Sequence, residues 1–245
     1  MHKYKILKFL MILLLSFFIA CSSDDDSSPT EPDEETPPTV EIKPIVVPQG
    51  IQTAANNGDP GASTAAAFIN MANSLTAYSY LLTPPSGAGK ISSYSAANNE
   101  WTWTDGGVTF TLSLQETATS FTYTLTVNGS FEGNTYNNQV MMTVTASKTS
   151  NSGELYFYEP GVSIPFLYAE WDTSPTGTYT FLMEINETDG QIKIDLLLNP
   201  DDSGSLSVNG ADGSSWNISW TSQGTSGTWT YYDASGSLID QGNWP

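Results

Sequence analysis

Arginine is absent from this chain of 245 residues, and histidine and cysteine occur once each, as His2 and Cys21. Three of the seven lysines (Lys3, Lys5 and Lys8) stand beside that histidine at the N-terminus. Beyond Cys21 there are four lysines (Lys43, Lys90, Lys148 and Lys193), no histidine and no thiol. Each absence removes a class of chemistry. Without histidine, the body of the protein has no Ser–His–Asp triad, no Cys–His pair and no imidazole-ligated metal. Without a basic footprint it has no means of holding a polyanion, so nucleic acid is excluded as a partner. All 26 acidic residues lie after Cys21, so residues 21–245 carry four positive charges against 26 negative ones, a formal net charge of −22.

Hydrophobic runs are also scarce, with one exception at the start. Residues 1–21 read MHKYKILKFLMILLLSFFIAC: lysines, then an apolar run from Phe9 to Ala20 broken only by Ser16. A basic head and a short apolar run are the pattern of a secretory signal. The run is too short for the ~20 residues that a spanning helix needs. Phe18-Ile19-Ala20-Cys21 resembles the lipobox of bacterial lipoproteins, and the following Ser22-Ser23-Asp24-Asp25-Asp26 resembles the surface-export signal of Bacteroidota lipoproteins. The resemblance implies a cleaved signal peptide over 1–20 and a Cys21 that carries diacylglycerol and an N-acyl chain such as palmitate. Outer-membrane lipid is then the partner that anchors the protein, at the cell surface. Two or more acyl chains anchor stably where one does not. Acylation also accounts for an otherwise odd cysteine in a secreted chain.

Residues 21–50 hold six prolines and eight acids against one lysine, with few apolar residues before Val40. Such a segment buries too little apolar surface to offset its ordering entropy and reads as an extended, disordered stalk. Ile42–Val47 is the one place in it where a short edge strand is expected.

Residues 51–245 read as a single β-rich domain. Asp59-Pro60 opens a helix as N-cap and N1, apolar residues recur at three- and four-residue steps from Ala65 to Leu82, and Pro84-Pro85 ends it at about residue 83. No charged residue occurs between Asp59 and Lys90, so the helix is expected to be covered on most sides. From Trp101 the period becomes two, as in Phe121, Tyr123, Leu125 and Val127 against Thr122, Thr124 and Thr126. Turn signals such as Asn128-Gly129 and Asp189-Gly190 separate the strands. The expectation is mainly β: about eleven antiparallel strands in a meander, bent into a curved sheet or barrel, with the helix on its concave side. This architecture is similar to that of lipoprotein carriers that hold lipid between a half-open barrel and a helix.

Candidate binding residues are aromatic. Phe157, Phe166, Tyr168 and Trp171 lie in stretches apolar on both strand faces, which fit core strands covered on both sides or the lining of a cavity for an apolar or amphipathic ligand. Trp101 with Trp103, and Trp216 with Trp220, share strand faces and would form platforms for a glycan if they pointed outward. Catalysis would fall to carboxylates, Glu170 and Asp172 around Trp171 and Asp195 beyond, which also fit a plain solvated face. Asp201-Asp202 and Asn209–Gly213 are acidic but lack the alternating spacing of a calcium loop. No catalytic residue, metal ligand or cofactor is therefore assigned. The sequence points to a lipid-anchored envelope binding protein for an apolar molecule or a glycan, with a structural or adhesive role as the further alternative.

Overall fold

The computed structural model describes residues 37–38, 40, 44–92, 98–131 and 134–245. The signal segment, Cys21 and Ser22 to Asp26 lie outside the described residues, as does most of the stalk.

Two helices precede the sheet. Helix α1 spans Gln49–Asn56 and buries Ile51 and Ala54. Helix α2 spans Pro60–Ser74, with the Asp59 carboxylate accepting from the Ala62 N–H at 2.8 Å and proline at the first position, as the sequence implied. The helix does not continue as α to residue 83. Leu75–Leu82 tightens into a 3₁₀ helix. At the junction the Ser74 hydroxyl donates to the Met71 carbonyl and the Thr76 hydroxyl to the Asn73 carbonyl, each three residues back. Those local bonds compete with the regular helical ladder. Helix α2 is covered on most sides: Ala62, Ala65, Ile69 and Ala72 are buried and Thr64, Ala66, Phe68, Met71 and Asn73 half-buried, whereas one stripe, Ser63, Ala67, Asn70 and Ser74, faces solvent. Small and amide side chains form the open face in place of charged ones.

Thirteen strands follow among the described residues: β1 Gly89–Ser92, β2 Asn98–Asp105, β3 Val108–Glu116, β4 Ser120–Phe131, β5 Asn134–Ser147, β6 Gly153–Tyr158, β7 Pro165–Thr173, β8 Tyr179–Glu187, β9 Gly190–Leu198, β10 Gly204–Asn209, β11 Ser215–Trp220, β12 Gly227–Tyr232 and β13 Leu238–Trp244. They form one sheet in strict sequence order, each antiparallel to the next, and no described ladder joins β1 to β13. The sheet is open, not a closed barrel. The count exceeds the expected eleven by two, and of the two edge strands β1 alone lies outside the expected strand region of about 101–244. β1 is only four residues long, and β13 places Leu238 and Ile239 in succession rather than in alternation, so neither has a period-two signature.

Register assigns the faces. One row runs Leu114, Tyr123, Val144, Leu155, Ala169, Met183, Ile194, Val208 and Trp216 from β3 to β11. Almost all of its side chains are buried, and the helices pack on this face: Tyr78 meets Phe157 edge-on at 4.5 Å, and Gly61 lies on the Trp229 indole. The opposite face is Thr, Ser, Asn and carboxylate. β7 opens on Pro165, the one strand position where a missing N–H is readily tolerated. β6 and β7 are not buried on both faces, because Tyr156, Tyr158 and Tyr168 are half-buried and Glu170 is exposed.

Residues 44–48 form no strand. The Asn73 side chain takes the place of a strand partner: its Oδ1 accepts from the Ile45 N–H and its Nδ2 donates to the Ile45 carbonyl, both at 2.7 Å. Val40, Ile45 and Val47 are buried here, and the Tyr123 hydroxyl donates to the Pro38 carbonyl. The C-terminal end of the segment read as stalk is therefore docked on the domain.

Candidate polar groove on the open sheet face

The aromatic candidates do not converge on one site. Trp101, Phe157, Trp171 and Trp220 are buried in the core. Trp103 stacks on Phe110 at 5.5 Å, Trp216 stacks on Tyr231 at 4.8 Å, and Phe166 lies 6.0 Å from Phe157, all three half-buried against the same core. The Trp101–Trp103 and Trp216–Trp220 pairs sit on β2 and β11, nine strands apart in the sheet. The tryptophans have a packing role instead. The Trp171 indole covers Gly153 on the neighbouring strand, Trp220 covers Gly204, Trp244 covers Gly227 and Trp229 covers Gly242. In each pair a Cβ on the glycine would collide with the ring, at 2.5 Å from Trp171 Cζ2 in the first and 2.6 Å from Trp220 Cζ2 in the second. Aromatic cover over strand glycines is a known way of restoring lost packing.

Tyr168 is the exception, lying on the polar face. Tyr156 and Tyr168 are register partners with ring centroids 4.9 Å apart. Tyr168 donates to Glu170 Oε2 at 2.8 Å, and Tyr156 donates to Glu154 Oε2 at 3.0 Å. Burial, then the hydrogen bond to Glu170, raises the Tyr168 hydroxyl well above the ordinary tyrosine range, so it stays a donor. Glu154 and Glu170 are themselves register partners, which sets two carboxylates opposite one another.

From Glu170 the polar face runs across β8 to β12 as an open groove of about 680 Å³. Its polar lining includes Thr180, Ser205, Ser207, Asn217, Ser219 and Thr230. Leu182 and Leu197 supply the apolar contribution on that face, and Glu170 and Asp195 supply the only charges. These two carboxylates lie in one register row with Leu182 between them, Glu170 to Leu182 to Asp195. Lys193, the one described lysine of this region, is 3.9 Å from Glu184 and 3.8 Å from Asp195 and does not line the groove. Asp172 does not line it either.

Polar side chains on this face pair across strands: the Ser219 and Thr228 hydroxyls share a hydrogen bond at 3.0 Å, and the Ser207 hydroxyl donates to Asn217 Oδ1 at 3.3 Å. Such groups can exchange these bonds for bonds to a ligand at little cost. The arrangement can bind a molecule rich in hydroxyls. Of the groove residues, Glu170 and Asp195 stand out in the sequence as carboxylates, and the others only as the polar half of an alternating pattern. Sharing a face is a local property, whereas a hollow in that face follows from twist accumulated over many strands.

A second groove of about 710 Å³ lies between the α1–α2 turn and the end of β13, with the carboxamides of Gln49, Asn57, Gln223 and Asn243 on its walls. Gln223 there adopts a left-handed φ of 57°. Elsewhere, Asp201 and Asp212 are occupied as turn residues: each accepts from the backbone and hydroxyl of the serine two residues on, Ser203 and Ser214. Among the described residues no three His, Cys, Asp or Glu side chains group closely enough to hold a metal ion. Among them, too, no helix is long and apolar enough to cross a membrane.

Compared with known proteins, the chain matches no family model, no curated protein and no solved structure.

Proposed function

We propose that this is a lipid-anchored cell-envelope protein that binds a glycan in the groove on the polar face of β7 to β12. The anchoring part rests on the residues around Cys21, which resemble a lipobox followed by an acidic export signal. The observation that supports the binding part is the groove itself, about 680 Å³ in volume, with Ser, Thr and Asn residues and two carboxylates in its lining beside apolar residues such as Leu182 and Leu197. Hydroxyl and carboxamide groups both donate and accept, which suits the alternating donors and acceptors of a sugar ring. The apolar-ligand reading has less in its favour, because the helical segment packs directly on the sheet, the Tyr78 ring against Phe157 and the Gly61 backbone against the Trp229 indole.

The test is a glycan array probed with the full-length protein, alongside an Asn217→Ala/Ser207→Ala variant in the groove. Retention of one glycan class by the native protein, lost in the variant, is the expected result. A chain that retains no glycan class contradicts the binding reading. Metabolic labelling with a fatty acid addresses the anchor separately: label should enter the native chain and be missing from Cys21→Ala. Protease treatment of intact cells then reports on surface exposure.

A further inference from the structure

The charge distribution around the groove narrows the ligand class, an inference that rests on the glycan reading above. Glu170 and Asp195 line the groove, Glu154 stands beside Glu170, and Glu184 lies in the neighbouring row. The single ammonium nearby, Lys193, is shared between Glu184 and Asp195, so the carboxylates outnumber it. Among the described residues no cation lines the groove. Glu170 and Asp195 are separated by one intervening strand, which places their backbones about 10 Å apart at two ordinary strand spacings. Tyr168 fixes one oxygen of Glu170 by its hydrogen bond and so holds that carboxylate over the end of the groove. An anionic polymer would meet like charge at both positions, and a neutral one would leave Glu170 with only the Tyr168 hydroxyl and Asp195 with only a shared Lys193 to offset its charge. We infer that the preferred glycan carries protonated amines, with amines on one extended chain meeting both Glu170 and Asp195.

Calorimetric titration of the full-length protein in detergent provides the test, with a β-linked glucosamine hexamer and its N-acetylated counterpart as probes. Exposed charge pairs are weak and salt-screened, so the amine-bearing hexamer is expected to bind about threefold to tenfold more tightly at low salt. The advantage should vanish in Glu170→Gln/Asp195→Asn, which keeps the shape and hydrogen-bonding capacity of both side chains. Equal affinity for the two hexamers overturns the inference and leaves the glycan reading standing. Trilysine binding as tightly as the glucosamine hexamer also overturns it, because the surface would then be selecting charge alone. If neither hexamer binds, the inference falls. Whether the glycan reading falls with it is decided by the array.

Discussion

The indole of Trp229 occupies the space where a side chain on Gly61 would stand, so α2 can approach the sheet only because it carries glycine at that turn. Glycine inside a helix normally costs about 1 kcal/mol relative to alanine. Here the sign should reverse: Gly61→Ala would drive a methyl group into the ring and destabilise by about 1–3 kcal/mol, the usual range for overpacking. Trp229 Nε1 has no hydrogen-bond partner among the described residues, so Trp229→Phe removes ring volume and no hydrogen bond. Urea unfolding of the two single variants and the double variant should show the Gly61→Ala penalty shrinking when residue 229 is Phe. An additive double variant would mean that the two residues do not share the strain.

Asn73 tests how the N-terminal segment is docked. Its carboxamide satisfies both backbone groups of Ile45. Asn73→Ala leaves a partly buried N–H and C=O unmet, a loss of about 2–3 kcal/mol. Hydrogen exchange should report faster exchange at the Ile45 amide before the sheet amides are affected. Asn73→Asp keeps the acceptor and loses the donor, and should fall between the two.

Three hairpin turns share one acid device. Asp201, Asp212 and Asp233 each accept from the backbone N–H and the hydroxyl of the serine two residues later, Ser203, Ser214 and Ser235. The serine hydroxyl is the largest cause, and the backbone bonds add to it, in lowering each carboxyl below its usual value of 3.8. A lowered folded-state pKa gives stability that is present above the unfolded value and lost as pH falls through the folded one. Stability should therefore decline as pH falls below about 3.8. Replacing all three by Asn, which still accepts but does not titrate, should flatten that decline in denaturation midpoints measured between pH 7 and 2.

At the alkaline end, Tyr78 and Tyr123 lie against the core. Burial pushes both hydroxyls up to about 12, and the charge on Glu116 adds to the shift at Tyr123. Their folded pKa values exceed the unfolded value of 10, so stability is full below pH 10 and is lost as pH rises through 12. Ultraviolet titration should show a tyrosine fraction that ionises only with unfolding. Tyr123→Phe should remove part of it and also release the Pro38 carbonyl.

The meander was legible because it is local chemistry. Alternation at Phe121 to Val127, or at Ile192 to Leu198, sets one face of a strand against water, and Asp189-Gly190 leaves room for only a tight hairpin between neighbours. The edges were less legible, β1 not at all, for the converse reason. β1 and β13 pair on one side only, and an edge strand needs no buried alternation. The helix signal was read correctly at Asp59-Pro60 and too far at its other end, where hydroxyls at Ser74 and Thr76 bond back to the chain. Helix α1 leaves little mark in the sequence, because eight residues with two buried positions carry little periodicity.

The candidate site divides in the same way. By itself the sequence determined which side-chain chemistries are missing, since the chain beyond Cys21 has no histidine, arginine or thiol. It also determined the two faces of the sheet, because an extended chain turns alternate side chains to opposite sides. Tertiary structure decided which face holds a groove, and that the tryptophans cover glycines within the core. Those outcomes depend on register and on twist accumulated over many strands, and neither is a property of any one of them.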